Sequence, residues 1–164
     1  MKTIATTCVL LYILLGNIAV AEVISQGSES VSTAEHNAWL KQKFSKQHEQ
    51  LIPVVAVADM LYACNNARKV EPVIFKHEEL ILRMDRDRLA EKLVTCLGED
   101  TMQSEAALNF GLIGCFQAQL ADLPAAERQQ KMALVEQAIL SLSASERKKS
   151  FTQCVTQQTI RYLK

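Results

Sequence analysis

The fold is organised around residues 104–123, SEAALNFGLIGCFQAQLADL. Apolar residues recur in this stretch at steps of three and four, which indicates a helix that is buried over most of its circumference. Small residues lie four apart on two neighbouring faces, and they let another helix approach closely. These pairs are Ala107 with Gly111, and Gly114 with Ala118. The stretch therefore predicts the central helix of a bundle, with Cys115 as a candidate disulfide anchor.

The first 21 residues have the pattern of a cleaved signal peptide. Lys2 supplies a positive start, residues 4–15 form an apolar core, and residues 19–21 (AVA) form a cleavage signal before Glu22. The fully apolar part is shorter than the roughly 20 residues that a membrane span needs. We therefore expect a soluble exported protein, periplasmic or extracellular, without stable membrane insertion after cleavage. An uncleaved anchor helix is the alternative.

The charge balance argues against a nucleic-acid partner. The chain has 18 basic and 18 acidic residues, and loss of Lys2 with the signal leaves 17 basic residues, for a formal charge of −1. A surface that binds a phosphate backbone needs a basic excess. No nucleic-acid binding is expected.

Four cysteines remain after Cys8 leaves with the signal peptide. An even number in an exported domain indicates two disulfides, for which three connectivities exist. The alternative is four buried thiols in a reducing compartment. The four residues are Cys64, Cys96, Cys115 and Cys154.

The spacing of helix starts favours one pairing. Cys115 lies 11 residues after Ser104, and Cys154 lies 11 residues after Ser143. These two helices are separated by one helix, so they run roughly parallel and bring the two cysteines to similar heights. The sequence thus favours Cys115–Cys154, which leaves Cys64–Cys96 as the second bond.

The second bond requires a break between its two cysteines. Helical periodicity extends over residues 73–97, and a straight helix of that length would carry Cys96 about 35 Å from its start, too far to reach Cys64. Residues 85–87 are the best position for the break, because Asp85 suits the N-cap of a second helix. Whether residues 73–97 form one helix or two depends on this bond.

Helix signals elsewhere in the sequence also predict an all-α fold. Residues 32–35 and 143–146 fit the capping box S/T-x-x-E. Pro53 is expected to end or bend the first helix, and residues 54–68 have helical spacing despite their β-branched start. The prediction is a small bundle of five or six helices with two disulfides. Its divisions are a signal peptide (1–21), a flexible segment (22–31) and a single helical domain (32–164).

The titratable residues match no known catalytic or metal motif. His77 and Glu78 begin the H-E-x-x-H pattern of a zinc protease, but Ile81 stands where the second histidine must be. The histidines His36, His48 and His77 are therefore expected at helix edges or in solvent. Asp59 is expected at a helix edge, paired with a Lys or Arg, and a functional acid is the alternative. We expect no catalytic residue, no metal and no cofactor.

Non-covalent binding remains as the leading functional hypothesis. The expected partner is another exported protein, with this chain acting as an inhibitor, an immunity factor or an accessory subunit. Trp39, Phe44 and Tyr62 are the candidate contact residues, because Trp and Tyr are favoured at interfaces, although a core role for Trp39 is the alternative. The second hypothesis is a carrier of a small apolar ligand between helices. The third is a secreted hydrolase without a recognisable motif; the oligomeric state stays open.

Overall fold

The computed structural model describes residues 26–163, with the side chains of Glu35, Ala38 and Trp39 alone before residue 42. This range contains six α-helices, one short 3₁₀ helix and no strand, which confirms the all-α prediction. The predicted signal peptide lies outside the described residues. The elements are α1 Gln26–Arg68, α2 His77–Leu82, α3 Arg86–Leu97, α4 Glu105–Gln119, α5 Ala125–Ser141, α6 Ala144–Thr159 and the 3₁₀ helix η1 Ile160–Tyr162.

Helix α1 is longer than predicted. It begins at Gln26, so the predicted cap at Ser32 lies within the helix and the predicted segment 22–31 overlaps its first turns. It also continues through Pro53, so the prediction that Pro53 ends the helix is wrong. Proline removes one backbone donor to the carbonyl of Glu49. Both residues are exposed, so water can supply the missing hydrogen bond.

The chain divides after Lys41 into two units. In the first unit, the described part is the beginning of α1. The second unit, Gln42–Lys164, contains the remainder of α1 and all the later helices. Its buried core draws on α1, α2, α3, α4, α5 and α6.

Helix α4 lies at the centre of this second unit. It packs against α5 and α6, and it meets α1 at Gly114, where an added Cβ would lie 2.7 Å from the carbonyl carbon of Asp59. On a neighbouring face, an added Cβ at Gly111 would lie 2.5 Å from the ring of Phe151 on α6. The predicted close approach of other helices at small residues is therefore confirmed at both glycines.

The predicted break within residues 73–97 is also confirmed. Asp85 caps α3, since its Oδ1 accepts hydrogen bonds from the backbone of Asp87 (2.9 Å) and Arg88 (3.2 Å). Gly98 ends α3 with a φ of 65°, a conformation that glycine adopts without strain. The helix expected to start at residue 73, however, starts at His77.

Both predicted disulfides are present. Cys64–Cys96 joins α1 to α3 with a Cα–Cα distance of 6.2 Å, and Cys115–Cys154 joins α4 to α6 at 6.3 Å. All four cysteines are buried. The predicted capping box at Ser143 and Glu146 opens α6 as expected.

Candidate functional site

The segment between α1 and α2 exposes three aliphatic side chains. This connecting loop, residues 69–76 (KVEPVIFK), presents Val70, Val73 and Ile74 to solvent, and Ile74 is 86 % exposed. Single exposed aliphatic residues are common on protein surfaces, whereas a contiguous apolar patch marks a contact site. Three such residues on one short loop make it the leading candidate for a binding surface.

The side chain of Asn65 holds the backbone of this loop on both sides of Pro72. Its Nδ2 donates to the carbonyl oxygens of Glu71 (3.2 Å) and Val73 (3.0 Å), and its Oδ1 accepts from the backbone N–H of Glu71 (2.8 Å). Asn65 is itself buried. Three hydrogen bonds from one buried amide fix the loop in a single conformation before any partner arrives.

A second anchor comes from α3. Lys92 donates to both carboxylate oxygens of Glu71, at 2.6 and 2.7 Å. The same ammonium lies 5.9 Å from the ring centroid of Phe75, which packs against the core. Because Lys92 and Glu71 are each mostly shielded from water, this pair stabilises the loop more than a fully exposed pair would.

The base of the loop is clamped to the end of α3. Arg68 donates to the backbone carbonyls of Cys96 and Leu97 and, at 2.7 Å, to the carboxylate of Asp100. A cation is favourable here because the last carbonyls of a helix carry partial negative charge. Cys64 is the residue before Asn65 and is bonded to Cys96. The disulfide and Arg68 therefore fix the point where the loop leaves α1.

Lys69, the first loop residue, has a left-handed backbone with a φ of 54°. Its N–H donates to the Asn65 carbonyl at 2.9 Å, as expected just after a helix end, where glycine is preferred.

We expect Lys69→Gly to raise the free energy of unfolding by about 0.5–1 kcal/mol, because glycine adopts this conformation without a Cβ clash. Chemical denaturation checks it. Lys69→Ala is the control, since it removes the same charge and keeps the strain; equal stability of the two variants would contradict the prediction.

A buried carboxylate and a mostly buried imidazole meet where α2 begins. Nε2 of His77 lies 3.4 Å from Oδ1 of Asp59, and the two side chains are 13 % and 0 % exposed. The imidazole also stacks on Tyr62, with ring centroids 3.8 Å apart. His77 Nε2 and Asp59 Oδ2 are both buried without a hydrogen-bond partner. The 3.4 Å separation is within ion-pair range, and the contact is an ion pair only when the imidazole is protonated and the carboxylate is ionised.

Gln158 on α6 completes this buried polar cluster. Its Nε2 donates to Asp59 Oδ1 at 3.0 Å, and its Oε1 lies 2.8 Å from Sγ of Cys115, a disulfide sulfur without a hydrogen. Burial raises the pKa of Asp59, with His77 and Gln158 opposing the rise. Burial and the negative charge of Asp59 also raise the pKa of Tyr162.

The environment predicted for Asp59 was wrong, because Asp59 is fully buried beside His77 rather than paired with a Lys or Arg. His77 is the first residue of α2 and is partly exposed, but the sequence did not predict its contact with Asp59. The sequence contained one usable signal. His77 precedes the buried residues Leu80 and Ile81 by three and four positions, so all three share one helix face. The other histidines differ: His48 contacts the Thr156 carbonyl at 2.9 Å, and the side chain of His36 is not described.

The three aromatic residues predicted to contact a partner have different surroundings. Trp39 is exposed in the first unit, Phe44 is half-buried in the second unit, and Tyr62 is half-buried against the core and His77. Sequence reasoning assigned Val73 and Ile74 to the start of a helix and so missed the exposed aliphatic side chains. No local signal distinguishes this segment, because Pro53 is also followed by two β-branched residues, Val54 and Val55, which lie within α1.

Comparison with known proteins gives no relative. No family model, no curated protein and no solved structure matches the chain. Within residues 26–163, no helix combines the length and apolar character needed to cross a membrane. The same part of the chain has no group of three or more His, Cys, Asp or Glu residues arranged to hold a metal ion. The function is therefore inferred from the connecting loop and its anchors.

Proposed function

We propose that this protein is exported and binds another protein non-covalently through the connecting loop, residues 69–76. The exposure of Ile74 on a loop fixed by Asn65 carries the proposal. Moving an exposed aliphatic side chain into a partner's pocket contributes about 1.5–3 kcal/mol. A loop already fixed in one conformation loses little conformational entropy on binding.

The composition of the loop suggests the kind of surface that it fits. Val70, Val73 and Ile74 require an apolar pocket or cleft. The exposed residues Lys69 and Lys76 flank them at the two ends of the loop, which favours an acidic rim around that cleft. An inhibitor, an immunity factor or an accessory subunit would each make this contact.

Two features support export. Disulfides persist in oxidising compartments outside the cytosol, and both bonds are buried in the second unit. The N-terminal pattern of a short positive start, an apolar core and an A-x-A signal is typical of a signal peptide. An intact-mass measurement on the exported protein tests cleavage before Glu22.

The test of the loop begins with a photoreactive amino acid placed at position 74 in the exported protein. Leu140 on α5 provides the matched control position, because it is aliphatic and 83 % exposed. We expect a specific cross-linked partner from position 74 and not from position 140. With that partner purified, we expect Ile74→Asp to raise the Kd by about 30-fold or more, as for a hot-spot residue, because a carboxylate cannot enter an apolar pocket without losing its hydration.

Leu140→Asp adds the same charge at an equally exposed position and is expected to leave the Kd within about twofold. The proposal is contradicted if both variants bind equally well, or if the same partner is captured from both positions. Circular dichroism of each variant checks that the helices remain folded.

A hydrolase is the second candidate, and Asp59–His77 is the observation in its favour. A carboxylate orients the imidazole of a general base in many hydrolases. A hydrolase of this type also needs a nucleophile that hydrogen-bonds to the imidazole. In the region that the structure describes, the contacts of His77 are with Asp59 and the ring of Tyr62, and no hydroxyl or thiol hydrogen-bonds to it. Protein binding is therefore preferred.

A further inference from the structure

We propose that α2 and the connecting loop form a pH-sensitive latch, closed while the site around Asp59 and His77 holds a proton and loosened when a rise in pH removes that proton and leaves the Asp59 carboxylate uncompensated. The geometry of the buried pair and the small size of α2 carry this inference. Only its consequence, that partner binding weakens as the latch loosens, rests on the proposed function.

Helix α2 depends on a few docking contacts. It has six residues, and its N-cap residue Lys76 makes no side-chain hydrogen bond to the first turn. A helix this short is not stable by itself in water. Leu80 and Ile81 hold α2 in the core, and His77 holds its first turn against α1. A weaker contact at His77 would therefore act first on the start of α2 and on the loop before it.

A single proton decides the net charge of the site around Asp59 and His77. With the proton, the site holds either carboxylate and imidazolium or carboxylic acid and imidazole, and both arrangements are neutral. Without it, the Asp59 carboxylate keeps the hydrogen bond from Gln158, while its Oδ2 is buried and has no hydrogen-bond partner. An uncompensated charge in an apolar interior is strongly unfavourable. Moving α2 outward would let water reach it.

Other elements around the carboxylate do not replace this proton. Gln158 from α6 is neutral, and the pKa of Tyr162 from η1 is raised above its usual value, so its phenol stays protonated. The positive charge of Arg161 lowers the pKa of Tyr162, and the negative charge of Glu78 raises it. Helix α4 contributes the backbone of Gly114, which packs against the backbone of Asp59.

The sign of the pH dependence follows from the direction of the shift. Burial raises the pKa of Asp59 above the ordinary value of 3.8, so the folded protein holds the proton more tightly than the unfolded chain. The stabilisation from this group is then complete below about pH 4 and is lost as the pH rises through the folded-state value. We expect the latch to loosen on going from acidic to alkaline conditions.

Amide hydrogen exchange on the full disulfide-bonded protein tests the latch. Protection factors, corrected for the intrinsic rate, are measured in a pH series that starts at about pH 4 and rises to alkaline pH. Across this series, we expect protection of residues 69–82 to fall about tenfold more than protection of α4. Asp59→Asn keeps the shape and removes the charge, so this extra fall should disappear. Glu105 on α4 forms an ion pair with Arg147, and Glu105→Gln should leave the extra fall in protection unchanged.

An equal fall in every helix would overturn the proposal, as would an undiminished local fall in Asp59→Asn. A second measurement covers the case in which that variant does not fold. In the wild-type protein, the NMR signal of the Asp59 carboxyl carbon should titrate with the same midpoint as the loss of protection. A signal that stays constant through this loss would also overturn the proposal. Neither measurement needs a partner, so the result is independent of the proposed function.

Discussion

Gly114→Ala is expected to lower the free energy of unfolding by about 3 kcal/mol, at the upper end of the range for overpacked cores. The added Cβ would lie 2.7 Å from the carbonyl carbon of Asp59 and 2.9 Å from its Cα. Both atoms belong to the backbone of α1, so no rotamer change relieves the overlap. Helices α1 and α4 would have to separate, which would also disturb the buried contact between Asp59 and His77.

Gly111→Ala provides the matched control on the same helix. Both substitutions gain about 1 kcal/mol of intrinsic helix propensity, so they differ mainly in what the new methyl group meets. At Gly111 it meets the ring of Phe151, whose nearest atom is 2.5 Å away. A side chain can move, so we expect a change of no more than about 1 kcal/mol in either direction. Urea denaturation followed by circular dichroism measures both; equal stability of Gly114→Ala and wild type would contradict the prediction.

The bundle could be predicted because its main signals are local. The small residues of α4 lie at helical spacing, and the structure places α1 and α6 against Gly114 and Gly111. The disulfides followed from arithmetic on helix starts and lengths. The break at Asp85 then followed because a straight helix could not bring Cys96 back to Cys64.

The connecting loop could not be predicted in this way, because its conformation depends on a side chain outside it. Asn65 lies near the end of the helix predicted over residues 54–68, and its side chain is buried and hydrogen-bonds to the backbone of Glu71 and Val73. Local propensity gives no weight to such a contact. The periodicity that follows Pro72 was assigned to a helix four residues before α2 begins at His77.

The buried pair was missed for a related reason. Asp59 and His77 are 18 residues apart and lie on different helices, so their meeting depends on the chain reversal made by the loop. A charged residue in an apolar stretch was assigned to a helix edge because an unpaired buried charge is rare. Once the loop returns α2 to α1, His77 can meet the carboxylate, and burial becomes tolerable for both.

Removing either disulfide by paired Cys→Ala substitutions is expected to lower the free energy of unfolding by about 4 kcal/mol in the chain-entropy model. The two bonds have similar sequence separations, 32 and 39 residues. A loss of that size is a large fraction of the roughly 5–15 kcal/mol that stabilises a typical domain. Chemical denaturation measures it, and mass spectrometry establishes that the other bond remains formed. A loss below about 1 kcal/mol for both variants would contradict the prediction.

The two variants should differ at the connecting loop. Cys64→Ala/Cys96→Ala removes the bond next to Asn65 and loosens α3, whose terminal carbonyls accept from Arg68. Amide protection of residues 69–82 should then fall by more than the global loss of stability explains. The Cys115–Cys154 bond joins neither end of the loop, so Cys115→Ala/Cys154→Ala serves as the control. Equal loop protection in both variants, at matched global stability, would contradict this prediction and would mean that Asn65, Arg68 and Lys92 hold the loop without the disulfide.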